Sequence, residues 1–163
     1  MTDSGKPFKF FPFIISMSIT LSIAAITGFF SESQIKGWYL GLHKPTFNPP
    51  NAIFAPVWTF LYIMIAFAAY LAWYHRRKRI DYVKARFIYF VQLILNASWS
   101  VVFFNFHQIL AGFIVILALI VSIVLNIKAF GKINNAAAWF LIPYLLWVIF
   151  AGVLNFSFYW LNR

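Results

Sequence analysis

The sequence of 163 residues has no cysteine and very few acidic side chains. Without cysteine there is no disulfide, no thiolate nucleophile and no zinc or iron–sulfur site held by thiolates. The three carboxylate side chains belong to Asp3, Glu32 and Asp81. So small and scattered a supply argues against a paired acid–base site and against an oxygen cage for a hard cation. The sequence therefore predicts no metal site and no resident cofactor.

Charge of either sign is scarce as well. Charged residues make up 10% of the chain and apolar residues 63%, and the mean hydropathy is +0.82. Soluble domains have about 25% charged and about 45–50% apolar residues, and disordered chains are poorer still in apolar residues. We therefore expect a single integral membrane domain over residues 1–163 rather than a soluble or disordered chain.

Long apolar runs are abundant. A membrane-spanning helix needs about 20 apolar residues, and its backbone groups must be paired because hydrocarbon offers no partner. The polar residues Asn105, His107 and Gln108 divide what would otherwise be one overlong run. The fold class predicted is an all-α membrane protein, a five-transmembrane-helix bundle. The expected helices cover approximately 10–30, 52–74, 85–104, 108–128 and 136–161, with a long lid loop over 31–51.

The net charge of +10 is explained better by membrane topology than by nucleic acid, because the cations stand between the apolar runs. With five spans, one side of the membrane receives Lys6, Lys9, Arg76, Arg77, Lys78, Arg79, Lys84, Arg86, Lys128 and Lys132. The other side receives Lys36, Lys44 and Arg163. The positive-inside rule predicts a cytoplasmic N-terminus, with loop 31–51 and the C-terminus outside. Membrane lipid is an expected partner, and nucleic acid is not.

Aromatic and amide side chains recur at helical spacing in three of the spans. Membrane helix interfaces favour small residues, so inward-facing indoles and phenols would hold helices apart and leave a pocket. Solid packing of the same rings is the alternative. The faces are formed by Trp58, Tyr62 and Ile65; by Gln92, Asn96, Trp99 and Phe103; and by Tyr144, Trp147, Ala151, Leu154 and Phe158.

Five sequence blocks carry a family resemblance. They are Trp38-Tyr39 with Leu42-His43-Lys44-Pro45; Pro56-Val57-Trp58 with Leu61-Tyr62; Tyr70-Leu71-Ala72-Trp73; Gln92-Leu93-Ile94-Leu95-Asn96 with Trp99; and Pro143-Tyr144-Leu145-Leu146-Trp147 with Ala151 and Leu154-Asn155. In this order they resemble the translocator protein family, also called tryptophan-rich sensory protein (TspO) or peripheral-type benzodiazepine receptor. The resemblance implies a bundle, commonly a homodimer, with one pocket per subunit beneath the loop between the first two helices.

The resemblance also implies the ligands and the residues that meet them. Porphyrins such as protoporphyrin IX are the expected ligands, with other flat apolar molecules possible. The predicted ligand-binding residues are Trp38, Tyr39, Pro45, Trp58, Tyr62, Asn96, Trp99, Trp147, Ala151 and Leu154.

A membrane receptor or sensor for porphyrins is the leading hypothesis. One alternative is an enzyme that degrades protoporphyrin IX in light, with Trp58 and Trp147 as the catalytic residues. A porphyrin or lipid transporter, and a structural dimer with no ligand, stay open as well. The pairs Ser18/Ser22 and Ala24/Gly28 offer small-residue surfaces for a homodimer.

Overall fold

The computed structural model describes residues 7–163, and this part of the chain folds into helices and contains no strand. Five helical stretches are long and apolar enough to cross a membrane, which confirms the predicted all-α, five-span bundle. The helices are α1 (Phe10–Lys36), α2 (Asn51–Tyr74), α3 (Arg79–Ser100), α4 (Ile109–Gly131), α5 (Asn135–Trp139) and α6 (Ile142–Leu161). The fifth span consists of α5 and α6 together.

The first helix is longer than predicted, so the expected loop over 31–51 was placed wrongly at its start. Helix α1 continues to Lys36, and the connection to α2 covers residues 37–50, with a 3₁₀ turn at Trp38–Gly41. The extra turns are polar and include an ion pair between Lys36 Nζ and Glu32 Oε1 at 2.5 Å. Hydropathy marks where apolar sequence ends, whereas a helix continues as long as its backbone bonds are favourable.

The third helix also begins earlier than predicted, again because polar residues at its end are helical. Helix α3 begins at Arg79 rather than near residue 85, because its charged first turns are helical although they are too polar for hydrocarbon. The fifth span is interrupted rather than continuous over 136–161. Helix α5 ends at Trp139, and Pro143 lies in the first turn of α6. Proline is tolerated there because the backbone N–H groups of a first turn have no acceptor within the helix.

The predicted division at residues 105–108 is confirmed. Helix α3 passes into a π-helical turn at Val101–Asn105, and the chain then reverses into α4. His107 has a φ of 57°, the left-handed conformation that such a reversal requires. Its ring stacks on Trp38 at 4.3 Å and its Nε2 lies 3.0 Å from Gln34 Oε1. The reversal is therefore fixed to the end of α1 and to the loop.

Close packing joins α3, α4 and α6. Leu93, Ile123 and Tyr144 are fully buried in this core. A Cβ built on Gly152 of α6 would lie 3.0 Å from Cγ2 of Ile116 in α4, so the two helices approach closely at this glycine. Helix α1 is the least buried of the spans. The bundle is thus closely packed around α4, whereas α2 makes few contacts with α3 and α6.

Candidate ligand-binding cavity

A cavity of about 500 Å³ lies among α1, α2, α3 and α6, at the end of the bundle that loop 37–50 covers. Small-molecule sites commonly measure about 300–1,000 Å³ and are mostly apolar with a few polar groups. The structure therefore decides between the two interpretations of the aromatic faces, because the rings border open space instead of filling it. Its lining comprises Ala24, Thr27, Gly28, Ser31, Glu32, Ile35, Lys36, Tyr39, Asn51, Phe54, Ala55, Trp58, Thr59, Tyr62, Asn96, Trp99, Ser100, Phe103, Phe104, Trp147, Ala151, Leu154, Asn155 and Phe158.

Indole and phenyl rings form the deep part of this lining. Trp99 of α3 is close to both Trp58 of α2 and Phe103, at ring-centroid distances of 6.1 and 5.8 Å and within 28° of parallel to each. From the other side, Trp147 of α6 meets Phe54 at 6.0 Å. Large rings on three helices keep the backbones apart, and flat faces suit a flat apolar ligand.

The buried side-chain amides of Asn96 and Asn155 hold aromatic rings beside the cavity in fixed positions. The Tyr62 hydroxyl donates to Oδ1 of Asn96 at 2.6 Å, and Nδ2 of Asn96 donates to the Tyr144 hydroxyl at 2.9 Å. Asn96 is only 2% exposed, so this single amide joins α2, α3 and α6 where water cannot replace its bonds. The network fixes two phenol rings beside the cavity and leaves Asn96 on its lining.

The second amide fixes an indole of the lining. Nε1 of Trp99 donates to Oδ1 of Asn155 at 3.1 Å, and Nδ2 of Asn155 donates to the carbonyl of Ile109 at 2.8 Å. Nε1 of Trp147, in contrast, is buried and has no hydrogen-bond partner. An unpaired buried donor costs about 1–3 kcal/mol, and this nitrogen is turned away from the open space of the cavity although its residue contributes to the lining.

Tyr39 closes the end of the cavity from the loop. The side chain is 5% exposed and its ring packs against Phe158 at 5.2 Å and Phe104 at 5.9 Å. Burial raises the pKa of Tyr39 to about 12, so its hydroxyl stays protonated at neutral pH. That hydroxyl donates to Oδ1 of Asn48 at 3.0 Å, which ties the two ends of the loop together over the cavity.

The loop is also attached to the C-terminal end of α6. The backbone N–H of His43 donates to Oδ1 of Asn162 at 2.9 Å, and Nδ2 of Asn162 donates to the carbonyl of His43 at 3.0 Å. This paired contact holds the middle of the loop against the bundle. Loop 37–50 is therefore a lid with three attachments, through Tyr39, His43 and the His107 ring stacked on Trp38.

The cavity offers binding more readily than acid–base or metal chemistry. In the part of the chain that the structure describes, no three His, Cys, Asp or Glu side chains come together as metal ligands. The charged residues of the lining are Glu32 and Lys36, which pair with each other. The rest of the lining consists of aromatic and small side chains with the two fixed amides of Asn96 and Asn155.

Comparison with known proteins agrees with this architecture. The family model described as TspO/MBR family matches residues 16–161. The chain belongs to this family. It is 40% identical over 149 residues to the tryptophan-rich protein TspO of Archaeoglobus fulgidus, covering 91% of this chain and 95% of that protein. The sheep translocator protein is 31% identical over 89% of this chain and 88% of its own length. The tryptophan-rich sensory protein of Cereibacter sphaeroides is 31% identical over 74% and 73%.

This TspO-family protein is therefore a multi-pass membrane protein of the group that includes the sensory and translocator proteins. Most of the residues predicted to bind ligand come together on the cavity lining. They are Tyr39, Trp58, Tyr62, Asn96, Trp99, Trp147, Ala151 and Leu154. Trp58 and Trp147, the pair predicted for photochemistry, are among them. Their contact with a ligand stays a prediction.

Trp38 and Pro45 do not line the cavity. The Trp38 indole packs behind the lining, edge-on to Phe103 at 5.6 Å and stacked on His107. Its neighbour Tyr39 turns inward because successive side chains of a 3₁₀ helix point about 120° apart. The carbonyl of Pro45 accepts a bond from the Asn48 N–H at 3.0 Å. Both residues thus shape the lid, and neither lies on the cavity surface.

Helix α1 contributes residues to the cavity that were not predicted from the sequence. Ala24, Thr27, Gly28 and Ser31 line the cavity, although the pair Ala24/Gly28 was assigned to a dimer contact. A Cβ built on Gly28 meets nothing within 4 Å, so this glycine borders open space. A small-residue stripe does signal close approach, but it does not say whether a helix or a ligand approaches.

Proposed function

We propose that this protein is a membrane receptor for porphyrins, which takes the flat macrocycle into the aromatic cavity beneath the lid. The observation that carries the proposal is the cavity of about 500 Å³ with indoles contributed by three helices. The relative from Cereibacter sphaeroides is named a sensory protein, and a receptor role is consistent with that name.

Shape and polarity both support a tetrapyrrole. The nearly parallel rings of Trp58 and Trp99 offer extended flat faces, and offset stacking on such faces adds about 0.5–1.5 kcal/mol per ring beyond area burial. Asn96 and Asn155 supply polar groups at fixed positions on the lining. Such groups orient a ligand without the desolvation cost of a buried charge.

Light-dependent breakdown of the bound pigment is the second candidate. The two tryptophans that it would use, Trp58 and Trp147, both line the chamber. A porphyrin excited beside an indole would use dioxygen as the oxidant, and no carboxylate is needed. A transporter for porphyrin or lipid is a further candidate, which would show as flux across vesicles.

Titration with protoporphyrin IX in the dark tests the receptor. Detergent-purified protein should show saturable quenching of tryptophan fluorescence, because the pigment would lie against several indoles. Illumination of the saturated complex then separates the first two candidates. Stable absorbance supports a receptor, whereas bleaching that Trp58→Phe or Trp147→Phe abolishes supports the enzyme.

A matched pair of substitutions locates the site. Ala151 lines the cavity, whereas Ala118 of α4 is exposed on the lipid-facing surface. Ala151→Phe should fill the chamber and weaken binding at least tenfold, and Ala118→Phe should leave it unchanged. Equal affinity in both variants would place the porphyrin elsewhere, and the absence of saturable quenching in the parent protein would exclude binding.

Orientation in the membrane is part of the proposal. The excess of cations at the end opposite the lid favours a cytoplasmic N-terminus, with the lid and the C-terminus outside. The chain has no cysteine, so a cysteine introduced by a single substitution is the only thiol of the protein that a maleimide can label. A membrane-impermeant maleimide added to intact cells should label Lys44→Cys and spare Arg77→Cys. The opposite pattern would reverse the topology.

A homodimer also remains a proposal. Of the two small-residue pairs on α1, Ala24/Gly28 borders the cavity, so Ser18 and Ser22, which are exposed, are the pair free for a helix contact. Ser18→Leu combined with Ser22→Leu should shift the protein to a monomer in mild detergent. An unchanged mass by light scattering would assign the interface to another surface.

A further inference from the structure

Two charged residues, Glu32 and Lys36, lie on the cavity lining in the last turns of α1. Their side chains are 63% and 73% exposed, so they belong to the open rim rather than to the depth. The deep lining consists of aromatic rings, small residues and neutral amides. The chamber therefore has a polarity gradient, apolar inside and ionic at one edge.

We propose that Lys36 binds a carboxylate on the ligand, so that the cavity selects flat apolar molecules that carry an acidic edge. The inference deepens the proposed receptor function and rests on it. A porphyrin with carboxylate side chains would enter with its ring toward Trp58 and Trp99 and leave its acidic edge at the rim. When no ligand is bound, the Glu32 carboxylate pairs with the Lys36 ammonium group, and it repels the carboxylate of an incoming ligand.

The weakness of the existing ion pair makes this exchange feasible. Glu32 and Lys36 are four residues apart on an exposed helix end, and pairs of this kind contribute little to stability. A ligand carboxylate can therefore replace Glu32 with almost no loss elsewhere. The four-carbon stem of lysine lets its ammonium group swing toward the cavity without a backbone movement.

The other cations at this end of the molecule have different contacts. Lys44 Nζ lies over the Tyr39 ring, 5.0 Å from its centre, and the Arg163 guanidinium stacks on Trp160 at 3.4 Å. Neither belongs to the cavity lining. Of these three cations, Lys36 is therefore the one that can form an ion pair with a molecule bound in the cavity.

The start of α2 favours an anion at the same rim. Asn51, its first residue, is exposed and lines the cavity, and Pro50 before it provides no side-chain cap. The positive end of the α2 dipole and the Asn51 amide are therefore available to the acidic edge held by Lys36. They act with the lysine and are not a site without it.

Two probes with the same ring separate charge recognition from ring binding: protoporphyrin IX and its dimethyl ester. Their affinities are measured by dark fluorescence quenching in a neutral detergent at low ionic strength. Lys36→Gln should weaken the free acid about two- to fivefold, as expected for a partly exposed ion pair, and leave the ester unchanged. Glu32→Gln should strengthen the acid and leave the ester unchanged. High salt should bring the parent protein to the affinity of Lys36→Gln.

Arg163→Gln is the matched control, because it removes one positive charge at the same end of the molecule without touching the cavity. It should change neither affinity. Equal loss of acid and ester in Lys36→Gln, or loss of neither, would overturn the role of Lys36 while leaving the receptor intact. Failure of both probes to bind the parent protein would instead overturn the receptor function itself.

Discussion

Replacing Asn96 by leucine is the most direct test of the polar network beside the cavity. Leucine resembles asparagine in shape but cannot bond, so Tyr62 and Tyr144 lose their shared partner. These tyrosines are 4% and 0% exposed, and Tyr144 does not line the cavity, so water cannot replace the bond that its hydroxyl loses. The substitution therefore removes two buried hydrogen bonds and leaves the Tyr144 hydroxyl without its partner, while changing the packing little.

The expected loss follows from the two bonds. Interhelical hydrogen bonds in membranes contribute about 0.6 kcal/mol on average and about 1.7 kcal/mol at most, so two of them give about 1–3 kcal/mol. We expect the upper half of that range, because leaving a buried group unpaired costs more than the bond itself contributes. Asn135→Leu is the control. Asn135 is exposed, and its replacement should change stability by about 0.5 kcal/mol or less.

Reversible unfolding in mixed micelles with increasing SDS, followed by far-UV circular dichroism, measures these free energies. The reasoning is tested by repeating Asn96→Leu in a Tyr62→Phe/Tyr144→Phe background. With both hydroxyls removed, the leucine should cost less than about 0.5 kcal/mol, since no buried partner is left unpaired. An equal cost in both backgrounds would refute the hydrogen-bond explanation and assign the effect to packing.

Three further predictions concern the glycines and the lid. Gly28→Val should slow porphyrin association, because the valine side chain would project into the cavity. Gly41→Val is the control, since a Cβ there also meets nothing within 4 Å but Gly41 does not line the cavity, and its association rate should not change. Stopped-flow fluorescence quenching measures both rates. Gly152→Val should lower the free energy of unfolding by about 1–3 kcal/mol by overpacking the α4–α6 contact, and unchanged SDS unfolding would contradict the close approach. Asn162→Ala should release the His43 backbone, so the His43 amide should exchange hydrogen at least tenfold faster; unchanged exchange would mean that other contacts hold the lid.

The aromatic faces show how far the sequence alone can go. Helical spacing correctly placed Trp58 with Tyr62, and Asn96 with Trp99, on common faces, because residues three or four apart share a face in any helix. The same spacing is compatible with solid packing and with a chamber. The distances between helices determine which of the two forms. These distances depend on contacts between residues that are far apart in sequence, such as Gly152 and Ile116.

The lid shows a second limit. The family resemblance placed Trp38 and Tyr39 in one pocket, yet a single 3₁₀ turn sends one ring behind the lining and the other into it. The polar end of α1 was likewise taken for loop, although its backbone stays helical to Lys36. Backbone geometry at a chain reversal depends on what each side chain meets, and no local pattern encodes that.

The sequence by itself determined the membrane location, the five spans and the identity of the aromatic and amide residues, because hydropathy and helical period are local properties that survive any arrangement of the helices. The tertiary structure decided that the rings surround a cavity, that α1 contributes small residues to it, and that Asn96 joins Tyr62 to Tyr144. These features depend on how separate helices meet, and the meeting is set by the summed packing of the whole bundle rather than by any one segment.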